Sequence, residues 1–431
     1  MEEKNSEKKE RKMRDSGIPW IGEVPEGWEC SRIGGFYSPR MIKVSDVDYQ
    51  PLSVTMKGIV HQLETAAKTN DHNNRKLVKK GDFAINSRSD RRGSCGISKY
   101  DGSVSLINTV LSPNVEMCPQ FFDWLFHTTQ FSDEFYKWGH GIIDDLWTTG
   151  WQDMKKINIP VPPISEQHRI ADFLDSKCSE IDTLIENLRA RMESAKEYKK
   201  AVITEAVTKG LDKDAKMKDS GVEWIGEVPE EWKVSRIGHD YNVTLGKMLD
   251  SKEYDQYEMN NYLCAANIKW SGVNTSINKK MKFSSSEKPL YLLQKDDVLI
   301  MEGGTAGTSC IYNNEFAPCY IQNSVHRCRA INNNISKYLY YWMYVVFYSG
   351  YINSICNKAT ILHYTKEKVE KTPIVLPSIG EQKSIVNYLD SKCSEIDALL
   401  QNYEDQIATL EEYKKSLIYE YVTGKKEVPA A

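Results

Sequence analysis

The sequence predicts an α+β chain with a pseudo-twofold internal repeat. Two globular mixed α/β domains are separated by two long helices that pair as an intramolecular antiparallel coiled coil. Three observations carry this. The nine residues LDSKCSEID stand at Leu174–Asp182 and again at Leu389–Asp397, 215 positions apart. The passage DSGIPWIGEVPEGWECSRIG at Asp15–Gly34 returns at Asp219–Gly238 with fifteen of twenty residues identical. Through both copies of the nine-residue word, apolar or cysteine residues recur in alternating steps of four and three, the period of a coiled-coil seam.

In chain order, residues 1–14 hold ten charged residues and predict a frayed tail rather than a signal peptide. Residues 15–158 form a first domain and 159–210 a first helical region. A linker and second domain occupy 211–373, a second helical region 374–425, and a short tail 426–431. Within each domain the repeated preamble gives way to a middle (about 36–158 and 239–373) that barely resembles its counterpart. Constant ends around divergent middles describe one frame presenting two different surfaces.

Inside the middles, DFAINSR and DVLIMEGG read as strands running into Ser-rich or Gly-rich loops. QFFDWLFHTT and ISKYLYYWMYVVF read as buried helices whose aromatic stripes are core. Strand words GDFAI and DDVLI align at offset 215, as do Asn108-Thr109-Val110 and Asn323-Ser324-Val325. The eleven extra residues of the second half therefore fall before Lys295.

The helical regions open on proline-rich punctuation, IPVPPISEQ and TPIVLPSIGEQ, which keeps the preceding chain extended and leaves Ser165 as an N-cap. The first seam is Leu174, Cys178, Ile181, Ile185, Leu188, Met192 and Ala195. The second is Leu389, Cys393, Ile396, Leu400, Tyr403, Ile407 and Leu410. One such helix cannot bury its stripe alone, whereas two near-identical copies bury each other. Each can run about 40 residues, roughly 60 Å. An antiparallel pair would place the two domains at opposite ends.

Composition narrows the function classes. With 40% apolar and 27% charged residues and no run long enough to span a bilayer, the expectation is a soluble cytoplasmic protein without a membrane partner. Ten cysteines without a C-x-x-C pair predict reduced, buried thiols, not zinc or a disulfide framework, and the eight histidines show no metal-ligand spacing.

The net charge of −4 hides an uneven distribution. Residues 36–100 carry twelve Lys/Arg against six Asp/Glu, and 239–373 carry fifteen against twelve, whereas the helical stretch 380–428 carries six against ten. Positive charge gathers in the divergent middles, as phosphate attraction requires. Residues 101–158 run the other way, with three against eight.

Two divergent globular regions, each followed by P-x-x-EQ and a long helix ending near EYKK…VT, together with the DSGIPWIGEVPEGWE preamble, resemble the specificity (S) subunits of type I restriction–modification systems. The resemblance implies that the middles are target-recognition domains, each reading one half of a bipartite double-stranded DNA target. It implies that the helices dock two methyltransferase (M) subunits, with restriction (R) subunits joining for cleavage. S-adenosylmethionine would then bind the M subunit, leaving this chain without a cofactor.

Catalytic patterns are missing from the sequence. VPPI at Val161–Ile164 has the prolines of an adenine methyltransferase motif but not its amide or carboxylate, and no phosphate-binding G-x-x-x-x-G-K-[ST] occurs. Glu197-Tyr198-Lys199 spells a nuclease E-x-K without the upstream Pro-Asp, so a solvated helix face is the better reading. No catalytic or metal-ligating residue is therefore assigned.

The sharpest DNA-binding candidate is NSRSDRRGSCG, where Arg88, Arg91 and Arg92 share a loop with Ser89 and Ser94. Arginine offers a planar fork to guanine or phosphate. The aligned MEGGTAGTSC has no cation and would instead offer Gly303, Gly304, Thr305 and Thr308. The loops SVTMKG and AANIKWSG also align, giving Lys57, Lys269 and an adenine-pairing Asn267, and Lys247 is a further phosphate candidate. Two other readings fit the sequence less well. They are a single-chain restriction–modification enzyme, opposed by the missing motifs, and a coiled-coil scaffold without DNA binding.

Overall fold

Short apolar runs bounded by turns become strands, and the two proline-opened heptad stretches become unbroken helices, Ile164–Lys209 and Ile379–Val422. The structure is a computed structural model that describes residues 11–62, 72–141, 147–249, 258–356 and 362–429. Among the described residues no helix is long and apolar enough to cross a membrane. The chain divides into two units, Met1–Arg189 with Glu404–Ala431, and Ala190–Tyr403. Each unit thus owns the head of one long helix and the tail of the other.

The first unit is built on a four-stranded sheet in the order Cys95–Ile97, Phe83–Asn86, Asn108–Pro113, Tyr37–Pro39. A three-stranded sheet (Gly102–Val104, Arg75–Val78, Lys43–Val44) and the hairpin Leu52–Thr55/Gly58–His61 lie beside it. Helices Pro119–Phe126 and Thr129–Lys137 supply a phenylalanine core of Phe121, Phe122, Phe126, Phe131 and Phe135. That core continues into Ile170, Leu174, Ile181 and Ile185 of the first long helix and Leu417 and Tyr421 of the second.

The second unit repeats the scheme. Its four-stranded sheet runs Ser309–Ile311, Val298–Met301, Val325–Ala330, Tyr241–Leu245, with the helix Ser336–Tyr348 packed on it. The expected strands and buried helices are thus present in both middles. One alignment is corrected. Phe83 pairs with Leu111 and Val298 with Cys328, so Val325 stands where Asn108 does, two residues later than the sequence alignment placed it. A slip of two leaves every side chain on its original face, so hydrophobic alternation cannot detect it.

All fourteen predicted seam residues are buried or half-buried, fully so toward the head of each helix (Leu174, Cys178, Leu389, Cys393). The pairing is antiparallel. Lys414 Nζ lies 2.6 Å from Asp182 Oδ1 in the first unit, and Lys199 Nζ lies 2.7 Å from Asp397 Oδ1 in the second. Adding 215 to one residue and subtracting it from the other turns the first pair into the second, so each unit builds the same ion pair from the repeated sequence.

The repeated words hold each unit closed. The buried Gln167 amide accepts from the Cys118 N–H (2.9 Å) and donates to the Pro162 carbonyl (2.8 Å). Gln382 does the same with the Ile335 N–H (3.0 Å) and Pro377 carbonyl (3.1 Å). The neighbouring Glu166 accepts from the Trp28 indole at 2.9 Å, and Glu381 from the Trp232 indole at 3.1 Å. Under each tryptophan a long helix ends in a left-handed glycine. A Cβ on Gly424 would stand 2.5 Å from Pro25, and one on Gly210 would stand 3.1 Å from Trp232. These are C′ positions that combine a positive φ with a close approach.

The expected frayed tail is also corrected at its inner end. Met13–Asp15 pairs with Glu23–Pro25, and Arg11 bonds Glu166 at 2.6 Å while lying 5.3 Å over the Trp28 ring. Residues 1–10 lie outside the described residues.

Gln167→Leu keeps the side-chain volume but orphans two buried backbone groups. At about 1–3 kcal/mol for each, urea denaturation should show the first unit losing about 2–6 kcal/mol while the second unit's transition holds. A loss below about 0.5 kcal/mol, the range of neutral surface changes, would remove the glutamine from this role.

Candidate nucleic-acid interface

The buried strand Phe83–Asn86 delivers the chain into the arginine loop, and local hydrogen bonds fix the loop's backbone. Asn86 Oδ1 accepts from the Arg88 N–H, Ser89 N–H donates to the Trp147 carbonyl, and Arg88 pairs as an isolated bridge with Thr148. The Tyr136 hydroxyl donates to the carbonyls of Asn86 (3.2 Å) and Arg91 (3.3 Å). Burial holds this phenol well above its ordinary range, so it stays a neutral donor. Ser94 is buried and closes the loop through its backbone, accepting from Asn86 N–H and donating to Arg91 O, so it is withdrawn as a DNA contact.

The three guanidinium groups reach the surface beside carboxylates. Arg88 and Arg91 each lie 3.8 Å from Asp90, and Arg92 lies 3.2 Å from Asp133 and 5.2 Å over the Tyr136 ring. Arg91 and Arg92 side chains are 68% and 58% exposed. Exposed pairs of this kind are worth little and exchange partners readily. The loop borders an open groove lined by Ser89, Asp90, Arg92, Tyr136, Lys137 and Trp147. Sequence reading missed the rest of the lining, which the helix Thr129–Lys137 and Trp147 supply.

The hairpin Leu52–Thr55/Gly58–His61 stands next to this loop. A Cβ on Gly96 would meet Gly58 Cα at 2.7 Å, and Met56 Cε lies 4.0 Å from where a Cβ on Gly93 would be. Lys57 is exposed at the hairpin tip. The structure therefore sets the hairpin tip that carries Lys57 beside Gly93 of the loop that carries Arg88, Ser89, Arg91 and Arg92.

The second unit places Gly303, Gly304 and Thr305 on the equivalent loop. Gly303 bridges His363, the counterpart of the Arg88–Thr148 bridge. Gly304 and Thr305 are exposed, while Thr308 is buried with its N–H donated to the Thr305 carbonyl. Thr308 is accordingly withdrawn as a hydroxyl reader. Lys269 is exposed but does not match Lys57. The paired ends are Thr55↔Gly58 and Lys269↔Gly272, so the tip residues Met56 and Lys57 correspond to Trp270 and Ser271. Exposed Lys279 and Lys280, visible in the sequence as KKMK, were not singled out.

Two further candidates are corrected. Asn267 is fully buried, its Oδ1 accepting from Cys264 N–H and its Nδ2 donating to the carbonyls of Asn274 and Ile277. An amide already satisfied in its own turn has nothing to offer adenine. Lys247 has a 10% exposed side chain whose Nζ lies 2.6 Å from Glu287 and 2.9 Å from the Lys282 carbonyl. Burial pushes the Glu287 carboxyl up, but hydrogen bonds from Lys247 and Ser284 outweigh it and hold it below its ordinary range.

Charge counting also included cations that the fold consumes. Arg40 is bidentate to Asp82, Arg329 is bidentate to Asp297, and Arg327 donates to the carbonyls of Leu290 and Leu292.

Asn267→Ala should therefore act on stability, costing about 1–3 kcal/mol in denaturant titration. DNA preference of the folded variant should stay unaltered. A changed preference at unchanged stability would restore Asn267 as a reader.

A family profile described as the type I restriction modification DNA specificity domain matches twice, at residues 25–194 and 229–409. The type I restriction enzyme MjaVIII specificity subunit of Methanocaldococcus jannaschii is 24% identical over 292 residues, covering 64% of this chain and 63% of that one. A relative from the same organism, named for the type I enzyme MjaX, is 26% identical over 285 residues, covering 64% of this chain and 60% of that one. The matches thus span under two thirds of those relatives.

Among solved structures, a chain described with complex assembly and conformational transition of the type I R-M system superposes with a TM-score of 0.73 at 16% identity, covering 94% of this chain and 99% of that chain. The HsdS subunit from Thermoanaerobacter tengcongensis gives 0.53 at 16% identity, covering 94% and 98%. These likenesses show a shared fold. With two matched domains across most of its length, the chain belongs to the type I restriction–modification DNA specificity family.

Proposed function

We propose that this chain is the DNA sequence-specificity subunit of a type I restriction–modification complex, reading a bipartite double-stranded target with one domain for each half. The observation that carries the proposal is chemical contrast at equivalent positions of one frame. The loop after Phe83–Asn86 presents Arg88, Arg91 and Arg92, and the loop after Val298–Met301 presents Gly303, Gly304 and Thr305. A duplicated scaffold with different side chains at one site suits two unlike half-sites.

In this reading the chain performs no catalysis and carries no cofactor. Two M subunits dock on the paired helices and bring S-adenosylmethionine, and R subunits join for cleavage in the cytoplasm. Lys57, Arg88, Ser89, Arg91 and Arg92 face one half-site, and Lys269, Gly303, Gly304 and Thr305 face the other.

Replacing residues 36–158 with the same region of another specificity subunit should change one half-site of the methylated motif and leave the other intact. Methylome sequencing reads this directly, and a simultaneous change in both halves would refute the two-reader division. Within the first reader, an Arg→Ala change at a base contact should cost about 1–3 kcal/mol and relax one position. At a phosphate contact it should weaken all sequences and lower the salt slope by about one.

Asp90→Asn should strengthen DNA binding about two- to fivefold at low salt, because a carboxylate held beside two arginines competes with phosphate. Unchanged affinity and methylation after replacing all three arginines would remove this loop from the interface.

A further inference from the structure

The two hairpin tips are equivalent in the frame and opposite in their surroundings. In the second unit the tip is tied down. Trp270 packs edge-on against Tyr340, Tyr344 and Phe347 at 5.2–5.9 Å, and its carbonyl accepts from the Tyr340 hydroxyl at 2.8 Å. In the first unit the matching residue is Met56, which is 70% exposed. It sits at the end of a ribbon of two four-residue strands, against two-residue strands in the second unit.

Three features of Met56 point to one ligand. Its neighbours are cationic, with Lys57 beside it on the turn and the Arg91–Arg92 loop reached across Gly93, which suits a polyanion. Its support is rigid, because Gly58 and Gly96 touch backbone to backbone and leave no room for the tip to retreat. Its own side chain is apolar and flexible, able to follow a small hydrophobic bump. The major groove of B-DNA, about 12 Å wide, admits a two-stranded ribbon, and the one apolar group it displays on an unmodified base is the C5 methyl of thymine.

We infer that Met56 is a specificity-determining residue that packs on the C5 methyl of a thymine in the half-site taken by the first unit. The inference rests on the DNA-reading function proposed above. The tip residue of this hairpin is a reader in the first unit and a strut in the second, where Trp270 is held by its own domain. Sequence alone offered Lys57 and Lys269 as two contacts on aligned loops, and the register adds that Met56 and Trp270 are the matched positions.

The test uses the full chain in complex with its M subunits and duplexes carrying the mapped target. Each thymine of the first unit's half-site is replaced singly by deoxyuridine, which removes only the methyl, and affinity is measured by fluorescence anisotropy. Wild type should lose about fourfold at one position, as expected for one buried methyl-sized group. Met56→Ala should bind both duplexes equally, at the weakened level. Met56→Leu, which keeps an apolar contact, should recover most of the discrimination.

Deoxyuridine in the other half-site should affect wild type and Met56→Ala alike. Wild type indifferent to every deoxyuridine, a Met56→Ala variant that keeps the discrimination, or a half-site with no thymine on either strand would each overturn the inference while leaving the specificity function standing. A wild-type complex that binds the mapped target no better than a scrambled duplex would overturn that function, and this inference with it.

Discussion

A buried glutamine side chain sets the geometry of each unit. Gln167 and Gln382 each bind three pieces of chain at once: the helix that carries them, the extended proline segment before it, and the first backbone N–H of a helix in the divergent middle. An amide has one strong acceptor and two donors, so it can join a free N–H to a free carbonyl where no water reaches. What it takes from the middle, apart from a 3.0 Å bond that Gln382 donates to Asn334 Oδ1, is a backbone N–H, from Cys118 in one unit and Ile335 in the other. Any non-proline residue supplies that group. This main-chain hold leaves the passenger's side chains largely free to differ, as the contacts they do make with the frame show, Trp124 bonding Asp175 in one unit and Tyr341 bonding Asp390 in the other. It is one physical reason why constant ends can enclose unlike middles.

The electrostatics divide along the same line. Arginines that fasten the sheets, Arg40 to Asp82 and Arg329 to Asp297, are bidentate and partly sheltered, with their carboxylates almost fully buried. Those of the Arg88–Arg92 loop lie beside exposed carboxylates at longer range. The first kind is committed to folding. The second keeps a guanidinium soluble and positioned in the absence of a stronger anion, at small cost when one arrives.

Much of this organisation was legible in the sequence, and the misses share a cause. The coiled-coil seam was readable because a 3.5-residue period is a property of consecutive residues. Strands entering the two loops were readable because turn chemistry is local. The two-residue slip at Val325 was not, since alternation repeats every two residues. Nor were the tasks of Asn267 and Lys247, because a residue type does not reveal whether a partner waits across the fold. Thr148 and His363 escaped for the same reason, as each touches its loop through backbone contributed some sixty positions later. Residue counts also treated Arg40 and Arg329 as available charge, although their carboxylate partners had already claimed them.

The ending of the second long helix has a consequence for synthesis. Gly424 packs against Pro25 and Trp28, and the Tyr419 hydroxyl donates to the carbonyls of Trp20 and Ile21. The second unit is contiguous, Ala190–Tyr403, but the first takes in Glu404–Ala431. On the ribosome, the domain translated first therefore waits for the segment translated near the end. At roughly 5–20 residues per second the delay is on the order of 10–40 s. Through that interval the groove reserved for the late helix leaves Leu174, Ile181 and Ile185 uncovered. The nascent chain completes its later unit before its earlier one, and its period of greatest need for a chaperone falls in between.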